Sequence, residues 1–95
     1  MRNIIDVINE SNLAVNVILN GSGSMNDKDM KESIKKVLKQ FSNANLFVYN
    51  AADDVVEELN SIKEFKPSGP HNNKLVGLNK FFMDHIGENN IFMAN

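Results

Sequence analysis

Hydrophobic and polar positions divide this chain into short segments of differing period. Leu13-Ala14-Val15-Asn16-Val17-Ile18-Leu19 is an almost unbroken apolar run rich in β-branched residues, the pattern of a strand covered on both faces. Asn16 is its one polar residue and is expected to face a sheet edge. From Asp27 to Phe41 the period changes. Met30, Ile34, Val37, Leu38 and Phe41 fall on one helical face, and Lys31, Lys35, Lys36 and Lys39 take the outer one. Asn26 is the expected N-cap, with Asp27 and Asp29 set against the positive end of the helix dipole.

Downstream, Leu46-Phe47-Val48-Tyr49 reads as a second strand, parallel to the first if joined by the usual right-handed crossover. Residues 55–62 fit two patterns, because Val55, Leu59 and Ile62 also share a helical face. Pro67, Gly69 and Pro70 mark residues 63–73 as a loop. Lys74 to Ile86 predicts a second long helix, with Leu75, Leu78, Phe82 and Ile86 on one face, Phe81 flanking it, and Gly87 as its stop. Ile91 to Ala94 reads as a last strand. Near the start, Ile4, Ile5, Val7 and Ile8 fit a short helix under the sheet, broken at Ser11-Asn12. The expected architecture is one α/β domain over residues 1–95, a small three-layer, Rossmann-like unit. Its sheet is mostly parallel, with helices on both faces.

The junction between the first strand and the first long helix carries the chemistry. Asn20-Gly21-Ser22-Gly23-Ser24-Met25 is a glycine–serine turn. A helix start leaves unpaired N–H groups, and short hydroxyl side chains can gather in the same crevice, which makes such a turn a natural anion or cation site. As a phosphate loop it lacks the Lys-Ser/Thr ending of Walker A and the third glycine of a dinucleotide fingerprint.

The run Val17-Ile18-Leu19-Asn20-Gly21-Ser22-Gly23-Ser24-Met25 resembles the first metal-site motif of von Willebrand factor A (VWA) domains, Asp-x-Ser-x-Ser after a buried strand. The resemblance implies Ser22 and Ser24 as ligands of Mg2+ or Mn2+, with Asn20 at the position of the family's acid. An amide oxygen keeps the shape there and removes the negative charge that hard cations favour. The resemblance also implies an antiparallel edge strand near 55–59 and an acidic turn after the second strand, which Tyr49-x-Ala51-x-Asp53 matches. The loop that supplies the family's Thr ligand reads Ser68-Gly69-Pro70-His71-Asn72-Asn73 here, with no Thr. Ser68, His71, Asn72 and Asn73 are the loop residues that could reach the site, none a clean match, with Asn72 taken as the candidate metal ligand. The Asp of the family's third motif has no counterpart. With 95 residues the chain spans only the first half to two-thirds of such a domain, so a sheet edge is expected to be left open and a homodimer to cover it.

Bulk numbers narrow the classes further. A net charge of -2 gives no basic footprint for nucleic acid. With no cysteine there is neither a disulfide framework nor thiolate chemistry. No apolar run reaches the roughly 20 residues of a membrane span, and Asp6 interrupts the start where a secretion signal is apolar. A cytoplasmic protein is expected, binding no membrane.

Each sharper assignment has a plainer counterpart. Asn20, Ser22 and Ser24 could form a site, or only a turn whose hydroxyls cap the helix. Asp53 and Asp54 could be an acid pair or a solvated bend. His71 has no Ser or Asp partner at a recognisable spacing. His85 is expected as a half-buried packing residue, and Met25, Met30, Met83 and Met93 as core or interface filler. The expected function is a non-enzymatic protein–protein interaction module of VWA type, with metal binding weakened or absent, that competes with or regulates a full-length VWA protein. Its binding residues would be Asn20, Ser22, Ser24, Asp53, Asp54 and His71. The alternatives are a divalent-metal-dependent ligand-binding module and a small phosphate-binding enzyme.

Overall fold

The computed structural model describes residues 3–70 and 74–94. His71, Asn72 and Asn73, and the assignments made to them, lie outside that range. In chain order the elements are α1 (Ile4–Glu10), β1 (Val15–Asn20), α2 (Lys28–Gln40), β2 (Ala44–Asn50), β3 (Val55–Leu59), α3 (Val76–Asp84) and β4 (Asn89–Met93). Short 3-10 turns at Gly23–Met25 and Ile62–Glu64 follow β1 and β3.

The four strands form one sheet in the order β3-β2-β1-β4. β1 runs parallel to both β2 and β4, and β3 is antiparallel to β2. The expected α/β class with a mostly parallel sheet is therefore observed, and residues 55–59 are a strand at the edge.

Alternation along β1 divides the core in two. Val15, Val17 and Leu19 point to one face, where Met25 and Ile34 complete the cluster and Ile8 of α1 and Met30, Val37 and Leu38 of α2 pack against it. Ile18 points to the other face, with Tyr49, Ala51, Leu78 and Phe81. Helices thus cover both faces, α1 and α2 on one and α3 on the other. This explains why β1 carries no apolar–polar alternation: all of Val15 to Leu19 is buried.

Several sequence expectations are corrected. Asn16 does not face an edge, because β1 is central. It is 3% exposed and sits in a row of amides crossing three strands. Asn45 Nδ2 donates to Asn16 Oδ1 at 3.3 Å, and Asn16 Nδ2 donates to Asn90 Oδ1 at 2.9 Å and to Glu88 Oε1 at 3.1 Å. The N-cap of α2 is Asp27, whose Oδ1 accepts from Asp29 N at 2.8 Å; the 3-10 turn shifts the start by one residue, and Asn26 ends that turn instead. On α3 the buried face runs through Leu78 and Phe81. The helix stops at Asp84, so Ile86 lies beyond the periodic face and is 85% exposed. Met83 is also on the outside, 76% exposed, so of the core and interface roles expected for it the core one does not hold. His85 is half-buried as expected. Its ring stacks on Phe81 with centroids 3.9 Å apart, and its Nδ1 lies 2.8 Å from the Phe81 carbonyl oxygen.

Candidate functional site at the carboxyl end of β1

The sheet pairing does not stop at the end of β1. Gly21 N donates to Tyr49 O at 2.9 Å, carrying the β1–β2 ladder one residue past Asn20. Only glycine fits this step, since a Cβ at position 21 would lie 2.7 Å from Tyr49 O. The backbone then folds into the Gly23–Met25 turn, with Met25 N donating to Ser22 O at 3.1 Å. Met25 plugs into the core at 0% exposure and pins the turn from below.

That anchoring fixes the polar groups. Asn20 Oδ1 accepts from Ser22 N at 3.3 Å, bending the amide back over its own chain. The Ser22 and Ser24 hydroxyls are 2.8 Å apart and share one hydrogen bond. Ser22 is 1% exposed, whereas Ser24 is exposed. The incoming loop closes against the same bend: Ser68 N donates to Gly21 O at 2.9 Å and Gly23 N to Gly69 O at 3.3 Å. Asn20, Ser22 and Ser24 therefore meet at one mouth, against which the backbone of Ser68 and Gly69 closes.

The two aspartates have partners of their own. Asn50 Oδ1 accepts from Ala52 N and Asp53 N, and Asn50 Nδ2 donates to Asp53 Oδ2 at 3.2 Å, so Asp53 belongs to a closed turn after β2. Asp54 adopts a left-handed backbone, φ 55°. Its Oδ1 accepts from the Tyr49 hydroxyl at 2.5 Å and from Gly77 N at 2.9 Å. The carboxylate thus serves as a remote cap for α3, whose own N-cap residue, Leu75, makes no side-chain cap bond. The hydrogen bond from Tyr49, followed by that from Gly77, holds the Asp54 carboxyl below its ordinary value. Burial, reinforced by the Asp54 bond and charge, pushes the Tyr49 hydroxyl up to about 12. The sequence reading missed Tyr49. Its signal was positional: β2 alternation sets it on the α3 face, five residues before an acid.

Beside the bend, on the β3 side, lies an open crevice of about 410 Å3, lined among others by Gly21, Asn50, Glu57, Glu64, Lys66 and Ser68. Glu64 is already engaged there, because its Oε1 accepts from Asn60 N and Ser61 N in a capping box.

The side-chain oxygens bonded at the bend, among the described residues, are the Ser22 and Ser24 hydroxyls and the Asn20 amide, which are uncharged. Among the described residues no group of three or more His, Cys, Asp or Glu is placed to hold a metal ion. Ser22 and Ser24 are the residues that a cation there would meet, with Asn20 Oδ1 behind them facing Ser22 N. Among the described residues no helix is long and apolar enough to cross a membrane. No family model matches the chain, and neither the curated proteins nor the solved structures give a match.

Proposed function

We propose that this chain is a non-enzymatic, VWA-like protein-interaction module that engages its partner at the β1 mouth. The observation that carries the reading is the Ser22–Ser24 hydroxyl pair, 2.8 Å apart at the carboxyl end of the central strand, where open α/β sheets bind their ligands. The strand order β3-β2-β1-β4 with an antiparallel β3 supports it, because the resemblance called for that edge strand. A partner acid meets neutral oxygens at this mouth, so its binding is expected to need little or no divalent ion. Competition with a full-length VWA protein for such a partner is the regulatory role that follows. A homodimer belongs to the same reading: β4 carries no charged residue from Asn89 to Met93, and a second copy can pair with that edge.

Titration calorimetry with Mg2+ and Mn2+ tests the metal-poor form. The wild-type chain is expected to show no micromolar binding, and Asn20→Asp to gain affinity for either ion. Micromolar binding by the wild type, abolished in Ser22→Ala, would overturn that form in favour of the metal-dependent module. Sedimentation at high concentration tests the pairing, and a monomer there removes it.

A further inference from the structure

Asn20 is the only asparagine in the chain followed by glycine. A glycine amide has no side chain to hinder its nitrogen from attacking the preceding asparagine's Cγ. The attack forms an N–Cγ bond and a succinimide ring, and expels the side-chain nitrogen as ammonia. Water then opens the ring at one of its two carbonyls, leaving aspartate or isoaspartate. The fold does not permit escape from this chemistry by substitution at position 21, since a Cβ there would meet Tyr49 O at 2.7 Å.

The fold also paces it. The attacking nitrogen, Gly21 N, is bound to Tyr49 O at 2.9 Å, and Asn20 Oδ1 is held by Ser22 N at 3.3 Å. The Gly21 bond must open before the ring can close, because the attacking nitrogen has to give up that proton and turn towards Asn20 Cγ. Both bonds sit where the sheet is thinnest: Asn20 pairs with Tyr49 on one side, while the β1–β4 ladder ends at Leu19 and Met93. Strand ends open far more readily than the core.

We propose that Asn20 is a slow deamidation site, gated by opening of this last β1–β2 pair, which turns the neutral mouth into one carrying a carboxylate beside Ser22 and Ser24. The chemistry stands on the Asn20–Gly21 geometry alone; its functional consequence rests on the mouth being the binding site proposed above. Aspartate keeps the backbone length and so the pairing with Tyr49. Isoaspartate adds a backbone carbon at that step and is disfavoured in the folded chain.

The test is peptide mapping by mass spectrometry of the folded chain held at mildly alkaline pH, with the urea-unfolded chain in parallel, Asn20→Asp as the chromatographic standard and Asn20→Gln as the blank. The expected result is a mass gain of one amide-to-acid exchange at Asn20. It should proceed at least about tenfold more slowly folded than unfolded, with aspartate the main folded-state product. Absence of conversion in the folded chain while the unfolded chain converts fully overturns the proposal, and so do equal rates in the two states. Neither result depends on partner or metal binding, so the interaction reading stands or falls separately.

Discussion

The Tyr49 hydroxyl donates to Asp54 Oδ1 at 2.5 Å, fastening the β2–β3 turn onto β2, and the same oxygen accepts from Gly77 N at the start of α3. Tyr49 lies in the core at 1% exposure, and a buried hydroxyl with an ionised acceptor makes one of the stronger hydrogen bonds. Tyr49→Phe keeps the ring and removes the bond. A melting temperature lower by a few degrees is expected. The alkaline limb changes too. The folded-state value of Tyr49 is raised to about 12 from 10.0, so its contribution is fully present below pH 10 and is lost as pH rises towards 12. Urea unfolding across that window is expected to show the loss in the wild type and a flatter profile in Tyr49→Phe.

Asp54 has the opposite sign. Its folded-state value is lowered by Tyr49 and Gly77, so its contribution is present above the ordinary carboxylate range and disappears as pH falls through the folded value. Asp54→Asn is expected to unfold more readily at neutral pH and to lose less further stability on acidification. Amide hydrogen exchange is expected to locate the weakening at Gly77 and the first turn of α3.

Glycine positions separate two kinds of cost. A Cβ on Gly77 would lie 1.9 Å from the Asp54 carbonyl oxygen, which is backbone and cannot swing away. Gly77→Ala is expected to cost about 3 kcal/mol or more, through displacement of α3 from the turn. Gly87 has φ +87° with open space around its Cβ position, so Gly87→Ala is expected to cost only about 1–2 kcal/mol of left-handed strain. Chemical denaturation of the pair distinguishes contact from conformation.

Asn16→Leu removes the centre of the amide row and leaves Asn45 and Asn90 each without that partner. A buried group stripped of its partner costs about 1–3 kcal/mol. A destabilisation in that range is expected from urea midpoints.

Much of the fold was legible because periodicity and burial agree. α2 reads as an amphipathic stripe, and β1 as a doubly covered strand. The 55–59 strand was not legible from period alone, since Val55, Leu59 and Ile62 suit a helix equally well; pairing with β2 decided it. Asn16 misled because an amide inside an apolar run looks like an edge residue until its cross-strand partners are known. At the mouth, the Asn20–Ser22–Ser24 set was readable from spacing. The diversion of Asp54 to Tyr49 and Gly77 was not, because it depends on a left-handed turn and a contact 23 residues away.

The amide row has a consequence for assembly of the sheet. Asn16 stands level with Asn45 on one side and Asn90 on the other, so it works like the tooth of a key. Sliding β1 by one position would turn Asn16 into the aliphatic layer under α2 and swing its neighbours the wrong way. Parallel strands rich in Val, Ile and Leu offer many near-equivalent offsets; here one hydrophilic notch, cut at matching heights in three strands, leaves a single alignment in which everything seats.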